Sequence, residues 1–329
     1  MIEVKNLSKK YGDFEAVKDV SFSVGSDQVL GFLGPNGAGK TTIMKILTGY
    51  HYPSAGEALV DGVSVQEEPV ELKKRLGYLP EGVPLYGDLT VDEYMAFVAE
   101  GRGIPKKRRK EAIEASLEAC GLKDMRSRLI EQLSKGYKQR TGLAQAIVHD
   151  PAILILDEPT TGLDPNQIIE IRSLIRELGK RKTVILSTHI LQEVEAICSQ
   201  VLILNRGRIA AQGRPEEIAG AIKGGDTWEL ILKGAEIHAV RGALARLAGL
   251  IEGQNQKTEI LGNGLIKAVF FVSASAAENG ERIFDWAIDS SLKILGMSRK
   301  KLSLEDIFVE LTHEPPSMNE ASPPEGAGQ

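Results

Sequence analysis

The stretch GPNGAGKTT, Gly34 to Thr42, directly follows the apolar segment QVLGFL (28–33) and runs into TTIMKILTG, which carries a helical pattern. It fits G-x-x-x-x-G-K-[ST], and a strand before it with a helix after it is the context that motif needs. Glycines allow a tight backbone turn, so that successive N–H groups point inward at phosphate oxygens. The start of the following helix adds its dipole. The expected nucleotide-binding residues are therefore Gly34, Pro35, Asn36, Gly37, Ala38, Gly39, Lys40, Thr41 and Thr42. Lys40 would reach the outer phosphates, and the Thr41 hydroxyl would be offered to Mg²⁺. A glycine-rich turn without a ligand is the plain alternative.

A phosphate loop of this kind occurs in many nucleotide enzymes, and a second motif narrows the field. ILILDE, residues 153 to 158, is an apolar strand ending in two carboxylates. Asp157, at the C-terminal end of the strand, is placed to hold Mg²⁺ directly or through water. Glu158 would then lie beside the γ-phosphate, where a carboxylate can orient and polarise an attacking water as general base. One acid would serve binding; two in succession point to hydrolysis. The alternative is a strand end with solvated acids.

The rest of the chain sets bounds. Its 329 residues suggest about two domains, and a hydrophobic content of 42% supports real cores. The net charge of −5 gives no support for a large nucleic-acid footprint. The two cysteines show no metal-ligand spacing; Cys120 falls in register with Ile113 and Leu117 and reads as a small core residue. No targeting or membrane-spanning segment is expected, since the start MIEVKNLSKKYG is charged and runs such as AILIL and VLIL are strand length.

Residues 1 to about 220 read as strands alternating with helices, an α/β pattern, with buried strands at 28–33, 152–156, 183–187 and 201–204. A mostly helical insert spans about 86 to 148. The basic run Lys106 to Lys110 within it suits a solvated helix face, or a phosphate or lipid contact. From Asp226 the order changes to β-α-β-β-α-β, with a hairpin at Gly262-Asn263-Gly264, which is compatible with a small ferredoxin-like α+β unit over 226–313 closed by a helix in LSLEDIFVELT. The tail 314–329, rich in proline, glycine and acid, is expected to be disordered.

With these motifs in order, residues 1–220 resemble the ATP-binding-cassette (ABC) ATPases, a P-loop NTPase fold with a helical insert. The resemblance implies further roles. Tyr11 matches the aromatic residue that stacks on adenine. Glu81, in GYLPE, stands where the family usually has a glutamine that contacts Mg²⁺ or the water. LSKGYKQR resembles the L-S-G-G-Q signature, so Ser134, Lys135, Gly136 and Tyr137 would face the ATP of a second subunit, with Lys135 and Tyr137 as departures. TGLDP would carry Asp164 across the dimer interface, and His189 in STHI occupies the place of the switch histidine. On its own, His189 would more often be a structural histidine.

GYLPE, LSKGY and the C-terminal unit look closest to ATP-binding subunits of ABC-2-type exporters, including the gliding-motility-associated subgroup. That resemblance implies an ATP- and Mg²⁺-dependent ATPase. It would work as a homodimer or with a paired ABC ATPase subunit, binding a membrane permease at the cytoplasmic face. The rival readings are a soluble ABC ATPase acting on DNA or ribosomes, and a regulatory subunit that does not hydrolyse ATP. The second acid, Glu158, argues against the latter, and a GTPase would need an N-K-x-D motif that the sequence lacks.

Overall fold

The computed structural model describes residues 1–215, 217–218, 226–233, 236–246, 257–272, 279–300, 308 and 311. The expected tail 314–329 lies outside the described residues. So does most of the expected closing helix, of which Phe308 and Leu311 are described.

The first unit is built on a six-stranded sheet in the order β10-β9-β3-β8-β7-β6. Its strands are β3 (Val29–Leu33), β6 (Leu76–Leu79), β7 (Ile153–Leu156), β8 (Thr183–Thr188), β9 (Gln200–Asn205) and β10 (Arg208–Gly213). All neighbours pair in parallel except β10 with β9. Every residue of β3, β7 and β8 is buried, as the unbroken apolar runs require of strands covered on both faces.

Alternate residues feed opposite layers. Leu154, Leu156, Val184, Leu186, Val201 and Ile203 point into a core shared with the helical insert. Ile153, Ile155, Ile185, Leu202 and Leu204 point into the other. That second layer includes a four-stranded antiparallel sheet that the alternating β/α reading did not anticipate. It comprises β1 (Ile2–Tyr11), β2 (Phe14–Val24), β4 (Ala55–Val60) and β5 (Val63–Ser64), in the order β2-β1-β4-β5. The helix α1 (Lys40–Leu47) packs beneath it through Ile43, Met44, Ile46 and Leu47.

The short helix α2 (Pro69–Arg75) leads into β6. The insert then holds α3 (Val91–Gly101), α4 (Lys106–Ala119) and α5 (Lys135–Ile147). α3 starts with a complete capping box between Thr90 and Glu93. Cys120, at the end of α4, is fully buried, and burial pushes its thiol up to about 12, in line with a core role. α6 (Pro165–Gly179) and α7 (Leu191–Ile197) follow β7 and β8.

In the C-terminal part, β11 (Asp226–Lys233), α8 (Ile237–Arg246), β12 (Lys257–Gly262), β13 (Leu265–Val272), α9 (Asn279–Asp289) and β14 (Lys293–Lys300) give the expected β-α-β-β-α-β order. The antiparallel sheet order β12-β13-β11-β14 is the ferredoxin-like arrangement. Its core, centred on Phe270, Leu230, Leu232 and Trp286, is separate from the other two. Phe308 and Leu311 return to pack against the core under the helical insert, and the Leu311 carbonyl accepts from the Asn205 amide at 2.7 Å. Among the described residues no helix is long and apolar enough to cross a membrane.

Candidate nucleotide site

Parallel pairing brings the C-terminal ends of β3, β7 and β8 to one edge, where Leu33 lies opposite Thr188 and Leu156 opposite Leu186. An open α/β sheet binds its ligand at that edge. Here it forms a cleft of about 510 Å³ lined by Tyr11, Phe14, Asn36 to Thr42, Glu81, Glu158, Thr161 and His189.

The loop from Gly34 ends in Gly39, the N-cap of α1, at φ 102° with no side-chain cap. A Cβ there would lie 2.7 Å from the Ala16 carbonyl oxygen, so both the conformation and the space call for glycine. The first N–H groups of α1 are thus left without a side-chain acceptor of their own. Lys40 is buried, and its ammonium donates to the Gly34 carbonyl at 2.7 Å and to the Pro35 carbonyl at 3.3 Å. Desolvation lowers the Lys40 pKa, while Glu158, Asp157 and Glu81 pull it the other way.

Asp157 is 1% exposed. Its Oδ1 accepts from Ser187 Oγ at 2.6 Å and from Thr41 Oγ1 at 3.3 Å. Burial raises its carboxyl above the usual carboxylate range. The Ser187 and Thr41 hydrogen bonds oppose the rise, Glu158 adds to it and Lys40 counters it. A buried carboxylate beside a hydroxyl, facing a phosphate loop, is a hard-oxygen donor pair of the kind Mg²⁺ takes.

Glu158 adopts φ 47°, a left-handed conformation uncommon outside glycine. Its N–H donates to Ser187 Oγ at 2.9 Å. Its carboxylate lies between three groups: Lys40 Nζ at 3.9 Å, Thr161 Oγ1 at 3.1 Å and His189 Nδ1 at 3.0 Å. The structure therefore brings Lys40, Thr41, Asp157, Glu158 and His189 together. Tyr11 and Glu81 lie on the rim, and Phe14, paired across the hairpin from Tyr11, joins them.

The signature residues and Asp164 are not among the residues lining this cleft. Ser134 caps α5, its Oγ accepting the Tyr137 N–H at 3.4 Å. Gly136 is buried, and the Gln167 amide fills the space a side chain would need. Lys135 is exposed, and its ammonium lies against Gly162 of its own chain. Asp164 caps α6, accepting from the Gln167 N–H at 3.0 Å.

A family model described as ABC transporter matches residues 17–161. The ABC transporter ATP-binding protein YxlF of Bacillus subtilis is 33% identical over 313 residues, covering 95% of this chain and 100% of the relative. The chain belongs to the ABC transporter ATP-binding family. Another relative of this ABC protein is the Nod factor export ATP-binding protein I of Rhizobium etli, 32% identical over 94% of this chain and 93% of its own. Among solved structures, an ATP-binding subunit of an ABC transporter matches at 32% identity and TM-score 0.61, covering 66% of this chain and 91% of that one. The cbiO1 protein of Clostridium perfringens, part of the transporter complex cbiONQ, matches at 29% identity and TM-score 0.62, covering 67% and 90%.

Sequence reasoning on this ABC protein missed Phe14, Thr161 and Ser187. Phe14 could have been found, because Gly12-Asp13 is a two-residue turn signal that pairs it with Tyr11. The hydroxyls of Thr161 and Ser187 carry no spacing signal.

Proposed function

We propose that this chain binds ATP with Mg²⁺ in the cleft, hydrolyses it with Glu158 as general base, and powers a separate membrane permease as one half of an ATPase pair. The observation that carries the reading is the position of Glu158. Its carboxylate is fixed between Lys40 and His189 at the mouth of the phosphate loop, 3.9 Å from the one and 3.0 Å from the other. A carboxylate so held can orient a water toward the γ-phosphate. Thr41 and Asp157 would hold Mg²⁺, with Glu81 near enough on the rim to join, and the ion would supply charge neutralisation at the phosphates. Tyr11 would stack on the base. His189 would sense the γ-phosphate while bonded to Glu158.

The signature residues Ser134, Lys135, Gly136 and Tyr137, with Asp164, would complete the site on a second subunit, either a copy of this chain or a paired ABC ATPase. A two-fold arrangement makes both sites from one pair of patches. The γ-phosphate then joins the two faces, and its loss reopens them.

A permease is supported by a groove between β6, α3 and α5, where Tyr50, Tyr86 and Phe97 are 72%, 55% and 56% exposed. Contiguous exposed aromatics beside the loop that carries Glu81 suit a cytoplasmic segment of a membrane protein. Export is supported by the names of relatives such as the Nod factor export protein, and the ABC-2-type branch by GYLPE, LSKGY and the C-terminal unit. The same reading divides the chain into an ATP-binding domain (1–220, insert about 86–148), an accessory domain (226–313) and a tail, and places it on the cytoplasmic membrane face through its permease.

The test is phosphate release by the purified chain. Glu158→Gln is expected to lower kcat by about 10²–10⁴-fold while ATP binding persists and a closed dimer accumulates. Turnover at the wild-type rate would remove the general-base role. Affinity purification from membranes is expected to recover a multi-spanning protein; recovery of the chain alone would remove the permease.

A further inference from the structure

We propose that Glu193, which the nucleotide cleft does not include, is a positioning residue for hydrolysis: it ties the segment after β7 to the end of β8 and so holds Glu158 and His189 in register. The proposal rests on the ATPase reading above.

Glu193 lies on α7 and is 1% exposed. Its Oε1 accepts from Thr160 Oγ1 at 2.5 Å, and its Oε2 accepts from Thr188 Oγ1 at 2.7 Å. Arg172, on α6, brings Nη2 to 3.5 Å from Oε1. A carboxylate this deep is tolerated because both oxygens are engaged and a cation stands beside it.

The two threonines are what give the contact its meaning. Thr160 is two residues beyond Glu158, and its neighbour Thr161 donates to Glu158 Oε2. Thr188 immediately precedes His189, and its hydroxyl also accepts the Ile190 N–H at 3.0 Å, so it fixes the backbone on both sides of the histidine. On the nucleotide face, Glu158 and His189 are joined by one hydrogen bond of 3.0 Å. From behind, Glu193 joins the same two segments a second time. The Ser187 hydroxyl, which accepts the Glu158 N–H at 2.9 Å, fixes the backbone between them, and Glu193 adds the hold on the residues that follow Glu158 and precede His189. Thr160 also opens the segment that runs through Gly162 to Asp164, so the bracket reaches the loop proposed to face the second subunit. Misplacing a reacting group by about 1 Å costs on the order of 100-fold in rate, which is the scale on which such a bracket acts.

Three variants of the full chain test this: Glu193→Ala, Thr160→Val and Thr188→Val. The valine variants keep the side-chain volume and remove one hydroxyl each, so they remain informative if Glu193→Ala fails to fold. The expected result is a fall in kcat of about 10- to 100-fold with KM and the affinity for a fluorescent ATP analogue within about twofold of wild type. Adding Thr188→Val to His189→Ala is expected to cost no more than His189→Ala alone, because both act through the same orientation. A purely structural Glu193 gives lower melting temperatures with full activity per folded molecule and additive double variants, and that outcome overturns the proposal. Wild-type turnover matched by all three variants overturns it as well. A wild-type chain without ATPase activity instead overturns the ATPase reading, and the proposal with it.

Discussion

The first turns of α1 and α5 both belong to the phosphate chemistry proposed above, but they are finished differently. α1 begins at a left-handed glycine with no side-chain cap, leaving its N–H groups for a ligand. α5 begins at Ser134, whose hydroxyl already occupies the Tyr137 N–H, at 3.4 Å and without a reciprocal partner. By contrast, α3 has both halves of its capping box, with the Thr90 N–H donating to Glu93 Oε2 at 2.8 Å. The start of α1 has no side-chain acceptor of its own. The start of α5 is satisfied in its own chain, yet by a long and single bond that a better acceptor can replace at small cost. That difference suits a site in which one subunit holds the nucleotide throughout and the other joins and leaves.

The comparison can be broken first at α1. Gly39→Ala puts a Cβ against the Ala16 carbonyl and forces alanine to φ 102°. It is expected to cost on the order of 1–3 kcal/mol of stability and to abolish ATP binding by the isolated chain. Calorimetry showing wild-type affinity would remove the special status of this helix start. Next in size, Glu81→Gln asks whether the α1 side draws on a further oxygen. The Mg²⁺ concentration for half-maximal hydrolysis is expected to rise severalfold; no change would leave Glu81 as a loop residue facing the permease.

Ser134→Ala should then act on the other half alone. About 1 kcal/mol or less of thermal stability is expected to go, with ATP affinity of the monomer untouched and ATP-driven dimerisation weakened. Equal loss of monomer binding would mean that the two helix starts do not divide the work. The smallest effect belongs to Lys135→Ala. Light scattering at low salt should show dimerisation weakened by a few-fold, an effect that screening erases at high salt. If nothing changes at low salt, Lys135 does no more than cover Gly162.

The phosphate loop, the paired acids and the buried parallel strands were legible because each depends on spacing along one segment. The antiparallel sheet was not, and its geometry shows why. Asn6 and Asp19 both take positive φ, at 49° and 53°, and the β1–β2 register shifts between Val4 and Leu7. Those irregularities interrupt the two-residue alternation from which a strand is recognised. The C-terminal unit was readable for the opposite reason, since its hairpin carries an explicit Gly-Asn-Gly turn and its two central strands, β11 and β13, alternate over 228–233 and 265–270. Asp157 and Glu158 could be placed from a strand end, whereas Ser187 reaches them only through pairing of β7 with β8, and Glu193 meets Thr160 and Thr188 only where that pairing brings the two segments together. Such partners are set by the sheet and not by the local sequence.

The left-handed backbone at Glu158 has a consequence for how such a chain evolves. Holding a side chain at φ 47° costs on the order of 1 kcal/mol, a penalty glycine would not bear. A library of variants at this position, sorted for thermal endurance alone, should drift toward glycine and away from chemistry. With Glu158 in the proposed general-base role, glutamate persists there only under selection for turnover, and position 158 is then a point where durability and activity pull the chain in opposite directions.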